Sequence, residues 1–154
     1  MTSNPTAEMA AIRARARDRL FGGRVYDDIP DDKDLEFDAN RMVRPYCIIS
    51  QGIPVPTGRD RSLMGEEQQP FIVPVTFECW SAARAISEAM VGDATTLFLG
   101  WTPVEGNSAP LSLRGGGSFQ DRSNSGRPSR FMNSVNWAMI VNLSIDPEFD
   151  PQTA

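Results

Sequence analysis

The sequence predicts one α+β domain: a mixed or antiparallel sheet of about four to five strands with two main helices packed against it. Two observations carry this. Apolar residues at helical spacing open the chain (Met9, Ile12, Ala16, Leu20), and an alanine-rich stretch, "AARAISEAM", repeats a helical character later. Strict alternation runs through Phe71, Val73, Val75, Phe77 and Cys79, and again through Phe131, Val135, Trp137, Met139, Val141, Leu143 and Ile145. A chain of 154 residues has the length of one such domain, and 40% hydrophobic with 23% charged residues is a globular composition.

The first helix follows Pro5, with Thr6 as the expected N-cap, and stops at Gly22-Gly23. Arg13, Arg15, Arg17 and Arg19 flank its apolar stripe, either as a solvated face or as a rim that meets an acidic partner surface. "RVYDDIP" from Arg24 reads as a short strand closed by Pro30, and an acidic, turn-rich loop follows. The carboxylates Asp27, Asp28, Asp31, Asp32 and Asp34 lack the alternating ligands, central glycine and closing glutamate of a calcium loop.

"PYCIISQGI", residues 45 to 53, is an interior strand by its continuous apolar character. Residues 54 to 68 form a long polar connection, so this strand and the next make a hairpin with an extended tip. In the next strand, "QPFIVPVTFECWS", Ile72, Pro74, Thr76, Glu78 and Trp80 face away from the apolar row. Pro74 cannot supply a ladder hydrogen bond, which places the strand at a sheet edge or makes it bulged there. An edge strand is either blunted against pairing or used for it, which hints at assembly.

Ser81 is the expected N-cap of the second helix, which turns Ala82, Ile86, Ala89 and Met90 to one side and ends at Gly92. Residues 102 to 130 are rich in Gly, Ser, Pro and Asn and read as loop with room for one short strand. The long amphipathic strand from Phe131 closes the domain, with residues 1 to 6 and 146 to 154 as flexible termini.

Composition excludes several functions. A net charge of −5 argues against a surface built wholly to grip nucleic acid. With 0 histidines the chain lacks the commonest general base and metal ligand, and Ser62, Ser81 and Ser118 have no histidine to activate them. Cys47 and Cys79 have no CxxC spacing and read as buried, reduced thiols. "RGGGS", residues 114 to 118, fits neither phosphate-loop nor dinucleotide spacing. No apolar run approaches the ~20 residues of a membrane span, and no secretory signal is visible. Arg59 and Arg61 form one basic loop cluster and Arg114, Arg122, Arg127 and Arg130 a second. The aromatic residues do not alternate with these arginines as a base-stacking platform would need, Phe119 standing alone between Arg114 and Arg122, so pairing with acidic neighbours is favoured over phosphate contact.

An N-terminal helix, then "VYDDIP" at 25 to 30, then "RPYCIISQGIPVP" at 44 to 56, resembles the tail terminator proteins of long-tailed bacteriophages. The order that follows, "VPVTFECWS", an alanine-rich helix and a closing strand, extends the resemblance over about residues 8 to 144. "DKDLEFDANRMV" and the region 102 to 130 are longer than the family's simplest pattern. The resemblance implies a structural protein without catalysis, cofactor or metal. It implies a ring, hexameric in that family, that caps the head-proximal end of the tail tube and ends its polymerisation. The same ring docks the head-completion (stopper) protein, and DNA passes through its lumen without specific binding. Such a protein is assembled in the host cytoplasm and resides in the virion.

On that reading, tube or partner contact is expected at Arg59, Asp60, Arg61 and Leu63, and subunit contact at Arg13, Arg17, Pro74 and Thr76. The alternatives are another neck or minor tail ring protein, such as a head-tail joining protein, or a small histidine-free enzyme or ligand-binding domain.

Overall fold

The computed structural model describes residues 4–57, 68–121 and 128–144. The order is α1 (Thr6–Arg19), β1 (Val25–Tyr26), β2 (Tyr46–Gln51), β3 (Val55–Pro56), β4 (Gln68–Ser81), α2 (Arg84–Phe98), β5 (Ser112–Asp121) and β6 (Arg130–Ser144). The six strands form one sheet in the order β1-β2-β4-β6-β5, with β3 continuing beside β4. All pairings are antiparallel except β1 with β2. This is the expected α+β domain.

Alternation built the core as the sequence implies. Val73, Val75, Phe77 and Cys79 of β4 and Val135, Trp137, Met139, Val141 and Leu143 of β6 bury one sheet face. Met9, Ile12 and Ala16 of α1 and Met90, Ala94 and Phe98 of α2 join them in a single cluster. Phe77 meets Phe98 edge to face with centroids 5.0 Å apart and tilts against Trp137 at 6.0 Å. A fully buried aromatic of this kind contributes several kcal/mol, so these rings are the main tie between helix and sheet.

The helix ends differ from expectation. α1 has Pro5 rather than Thr6 at its N-cap, and it ends at an extended Leu20, with Gly22 and Gly23 at φ of +59° and +79° in the tight turn that follows. α2 is capped by Ala83 without a side-chain bond, because the Ser81 hydroxyl donates to the Ala83 carbonyl in a turn just before it. Nor does α2 end at Gly92. It continues to Phe98 and stops before Gly100, whose φ is +76°. A glycine costs a helix about 1 kcal/mol, and burying Ala94 and Phe98 beyond it outweighs that. The buried side of α2 is Ser87, Met90, Ala94 and Phe98, whereas Ile86 is exposed.

The largest difference lies in 102 to 130. In place of one short strand, β5 runs for ten residues along β6. Backbone bonds to β6 suffice to hold it, so no side-chain pattern marks it in the sequence. Its glycines are needed by geometry. The register shifts between Leu113 and Gly115, where Gly115 has φ of +121°. A Cβ on Gly116 would stand 2.0 Å from the Ser134 carbonyl oxygen.

Candidate assembly surface

The two segments that carry the family resemblance lie side by side. Val25 pairs with Cys47 and Tyr26 with Ile48, so "VYD" and "PYCIIS" are neighbouring parallel strands. The Arg24 guanidinium donates to the Pro45 carbonyl at 2.6 Å, and Tyr26 meets Tyr46 edge to face at 5.9 Å. Leu35, Val43, Tyr46 and Ile48 form a second small core beneath the acidic excursion, with Trp80 packed against it.

Pro74 is not on an edge. β4 lies inside the sheet, with β2 and β3 on one side and β6 on the other. The Gly52 amide donates to the Pro74 carbonyl at 2.7 Å. In an antiparallel ladder such a pair exchanges two bonds, so the missing proline N–H costs the second bond of this rung. That rung is where β2 leaves the ladder. Gln51 pairs with Val75 and Val55 with Ile72, four steps along one strand against three along the other, a one-residue bulge. The proline thus stands opposite a bulge in its neighbour. Gly52 is required there, since a Cβ would come within 2.9 Å of the Pro74 ring.

The outer side of the sheet splits into two parts. One end is covered by the small second core. Over the rest, among the described residues, no helix packs. Ile72, Pro74 and Thr76 of β4 and Ser134, Asn136, Ala138 and Ile140 of β6 line it, with Glu78 opposite Ser134 at its border with the second core, and the Thr76 hydroxyl donates to the Asn136 side-chain oxygen at 3.0 Å. Pro74 is exposed and Thr76 half-buried, so both sit on an open face rather than an open edge.

The free edges are unequal. β1 and β3 have two residues each, and the Thr57 amide bonds the Pro70 carbonyl, which by alternation turns the Pro56 nitrogen outward and blunts that edge. β5 has ten residues, no proline, and β6 as its strand partner among those described. Phe119, on this strand, leaves 54% of its surface exposed while touching Trp80 edge to face. Glycine carries no side-chain periodicity, so this edge is not legible from the residues alone.

The predicted arginines are tied within the subunit. Asp27 forms an ion pair with Arg13 at 2.9 Å and accepts a hydrogen bond from Arg17 at 3.3 Å, and these arginines also donate to the Ile49 and Val25 carbonyls. They fasten α1 to β1 and β2. Arg15 donates to the Leu97 carbonyl at the end of α2 and lies over Trp101 at 4.9 Å. Arg130, expected in a loop cluster, is 7% exposed, bonds Asp32 at 3.0 Å and lies over Phe37. Arg114 is exposed on β5. Arg59, Asp60, Arg61 and Leu63, and also Arg122 and Arg127, lie outside the described residues. Among the described residues no group of three or more candidate ligands gathers to hold a metal, and no helix is long and apolar enough to cross a membrane.

No protein-family model and no curated protein matches the sequence. The fold is similar to that of a solved chain from the "Virion of native gene transfer agent (GTA) particle", with a TM-score of 0.56 and 15% identity. The likeness covers 86% of this chain and 93% of that one, so it extends over nearly the whole domain of each.

Proposed function

We propose that this protein is a structural component of a phage-like virion, and within the virion a tail terminator. The observation that carries the first statement is the near end-to-end likeness of the fold to a virion chain. The finer reading draws on the "VYD" and "PY" segments, which carry the resemblance to terminators and which pack as adjacent strands. The chain then acts by shape: copies form a ring, hexameric in the family it resembles, that caps the tube, stops its growth and receives the stopper protein. A ring of heterologous contacts needs on the order of 800 Å² buried per partner at each contact.

The open face around Pro74 and Thr76, the bare β5 edge between Gly116 and Phe119, and the outer flank of α1 are the surfaces offered for subunit contact. Arg17 retains 46% side-chain exposure on that flank despite its pairing with Asp27; Arg13 reaches the same neighbour from deeper in. Tube contact is assigned to Arg59, Asp60, Arg61 and Leu63, in the stretch of sequence between β3 and β4. The acidic balance of the chain suits a lumen that DNA traverses without being gripped.

Deleting the gene from its parent particle and measuring tail length by electron microscopy tests this reading. Overlong, headless tubes of variable length are expected. Tails of normal length left unjoined to heads would move the protein to a joining role in the neck, and normal infectious particles would overturn the structural role. Reversing Arg59 and Arg61 together to glutamate should abolish capping of purified tubes; undiminished capping would remove the loop from the contact.

A further inference from the structure

The register sets the two cysteines directly opposite one another, Cys47 on β2 against Cys79 on β4. The Cys47 amide donates to the Arg24 carbonyl on the β1 side at 2.9 Å. Its backbone groups therefore point away from β4, and Cys47–Cys79 is a non-hydrogen-bonded pair of the antiparallel ladder. In such pairs the Cα atoms stand about 4.5 Å apart and the side chains are at their closest. That separation lies within the range of about 4.4–6.8 Å spanned by disulfides. Both thiols are free, fully buried and part of the main core.

We infer that Cys47 and Cys79 form an oxidisable cross-strand site that closes into a disulfide between β2 and β4. The step is thiol–disulfide exchange with a low-molecular-weight disulfide such as oxidised glutathione. One cysteine thiolate attacks a sulfur of the small disulfide, releasing one small thiolate and leaving a mixed disulfide. The second cysteine attacks the protein sulfur of that mixed disulfide and releases the other. The two cysteine protons end on the two small thiols, and the two electrons of the dithiol reduce the small disulfide.

Burial, and then the hydrogen bond that the Cys47 thiol donates to the Cys79 sulfur, push the Cys47 thiol well above its ordinary pKa. Attack needs the thiolate, so exchange in the native subunit is slow and waits on local opening of the sheet. That behaviour suits a protein made in a reducing compartment and later carried in a particle outside it, where disulfides persist. This setting rests on the virion reading proposed above; the chemistry of the pair does not.

The test is to hold the purified chain in a glutathione buffer rich in the oxidised form, with and without sub-denaturing urea, and read intact mass and melting temperature. A loss of about 2 Da, restored by dithiothreitol, and a rise in Tm of roughly 5–10 °C are expected. Sub-denaturing urea should speed the loss. Cys47→Ala and Cys79→Ala should each abolish it and give at most a mixed adduct with glutathione. A chain whose mass is unchanged even when refolded from urea in the same buffer, or whose oxidised form melts lower, would overturn the inference. If the purified chain oxidises but released particles carry only free thiols, the site stands and the extracellular setting falls.

Discussion

Strand β6 has two neighbours of opposite character. On one side β4 matches it rung for rung from Gln68–Ser144 to Ser81–Phe131, and their apolar rows make the centre of the core. On the other side β5 is exposed along most of its length, carries three consecutive glycines and has a bulge at its start. Both pairings use the same backbone hydrogen bonds. The difference is that β4 is held by a whole row of buried side chains as well, while β5 adds to the ladder the contact of Phe119 with Trp80 and a backbone approach too close for any Cβ. A sheet in this protein is therefore specified twice over at its centre and once at its rim, and the rim is the part left available to other molecules.

Removing side chains from the β4 side should have the largest effect. Phe77→Ala deletes a fully buried ring that touches Phe98 and Trp137, and should cost about 3–5 kcal/mol in urea unfolding. A loss under about 1 kcal/mol would show that the α2–sheet contact matters less than its burial implies.

On the β5 side the decisive contrast is between adjacent glycines. Gly116→Ala drives a methyl into the Ser134 carbonyl and should cost about 2–3 kcal/mol or detach β5 from β6. At Gly117 the nearest atom would be 3.9 Å away, so Gly117→Ala should be close to neutral. Amide hydrogen exchange of β5 and β6 separates the two outcomes, and equal effects would refute the close approach.

The β2–β4 pairing gives a pH signature. Because burial raises the Cys47 pKa above its ordinary 9.0, the folded chain keeps a proton that the unfolded chain releases. The unfolded state then binds fewer protons, and stability falls as pH rises through and beyond that ordinary value, being fully present below it. The slope approaches about 1.4 kcal/mol per pH unit. Urea midpoints from pH 7 to 10.5 measure it, and Cys47→Ala should flatten the profile; an unchanged slope would assign it to other groups.

The smallest expected effect is favourable. Gly92 sits inside α2, exposed, with nothing within 4 Å of where its Cβ would lie, so Gly92→Ala should raise stability by about 0.5–1 kcal/mol. A destabilised Gly92→Ala chain would mean that α2 does not run unbroken past this residue.

Whatever depends on side-chain period was legible from the residues alone. The stripe Met9, Ile12, Ala16 and the rows Val73 to Cys79 and Val135 to Leu143 face the core as their spacing demands, because burying apolar surface is a local choice repeated along an element. The tertiary structure alone decided what depends on a neighbour. Pro74 stands inside the sheet because β2 bulges away opposite it, a fact written in Gly52 and the spacing of two other strands. Arg13, Arg17 and Arg130 are spent within the subunit because Asp27 and Asp32 come within reach once the chain has folded. β5 exists because β6 lies beside it, and glycine, having no side chain, leaves no period in the sequence for that strand to be read from.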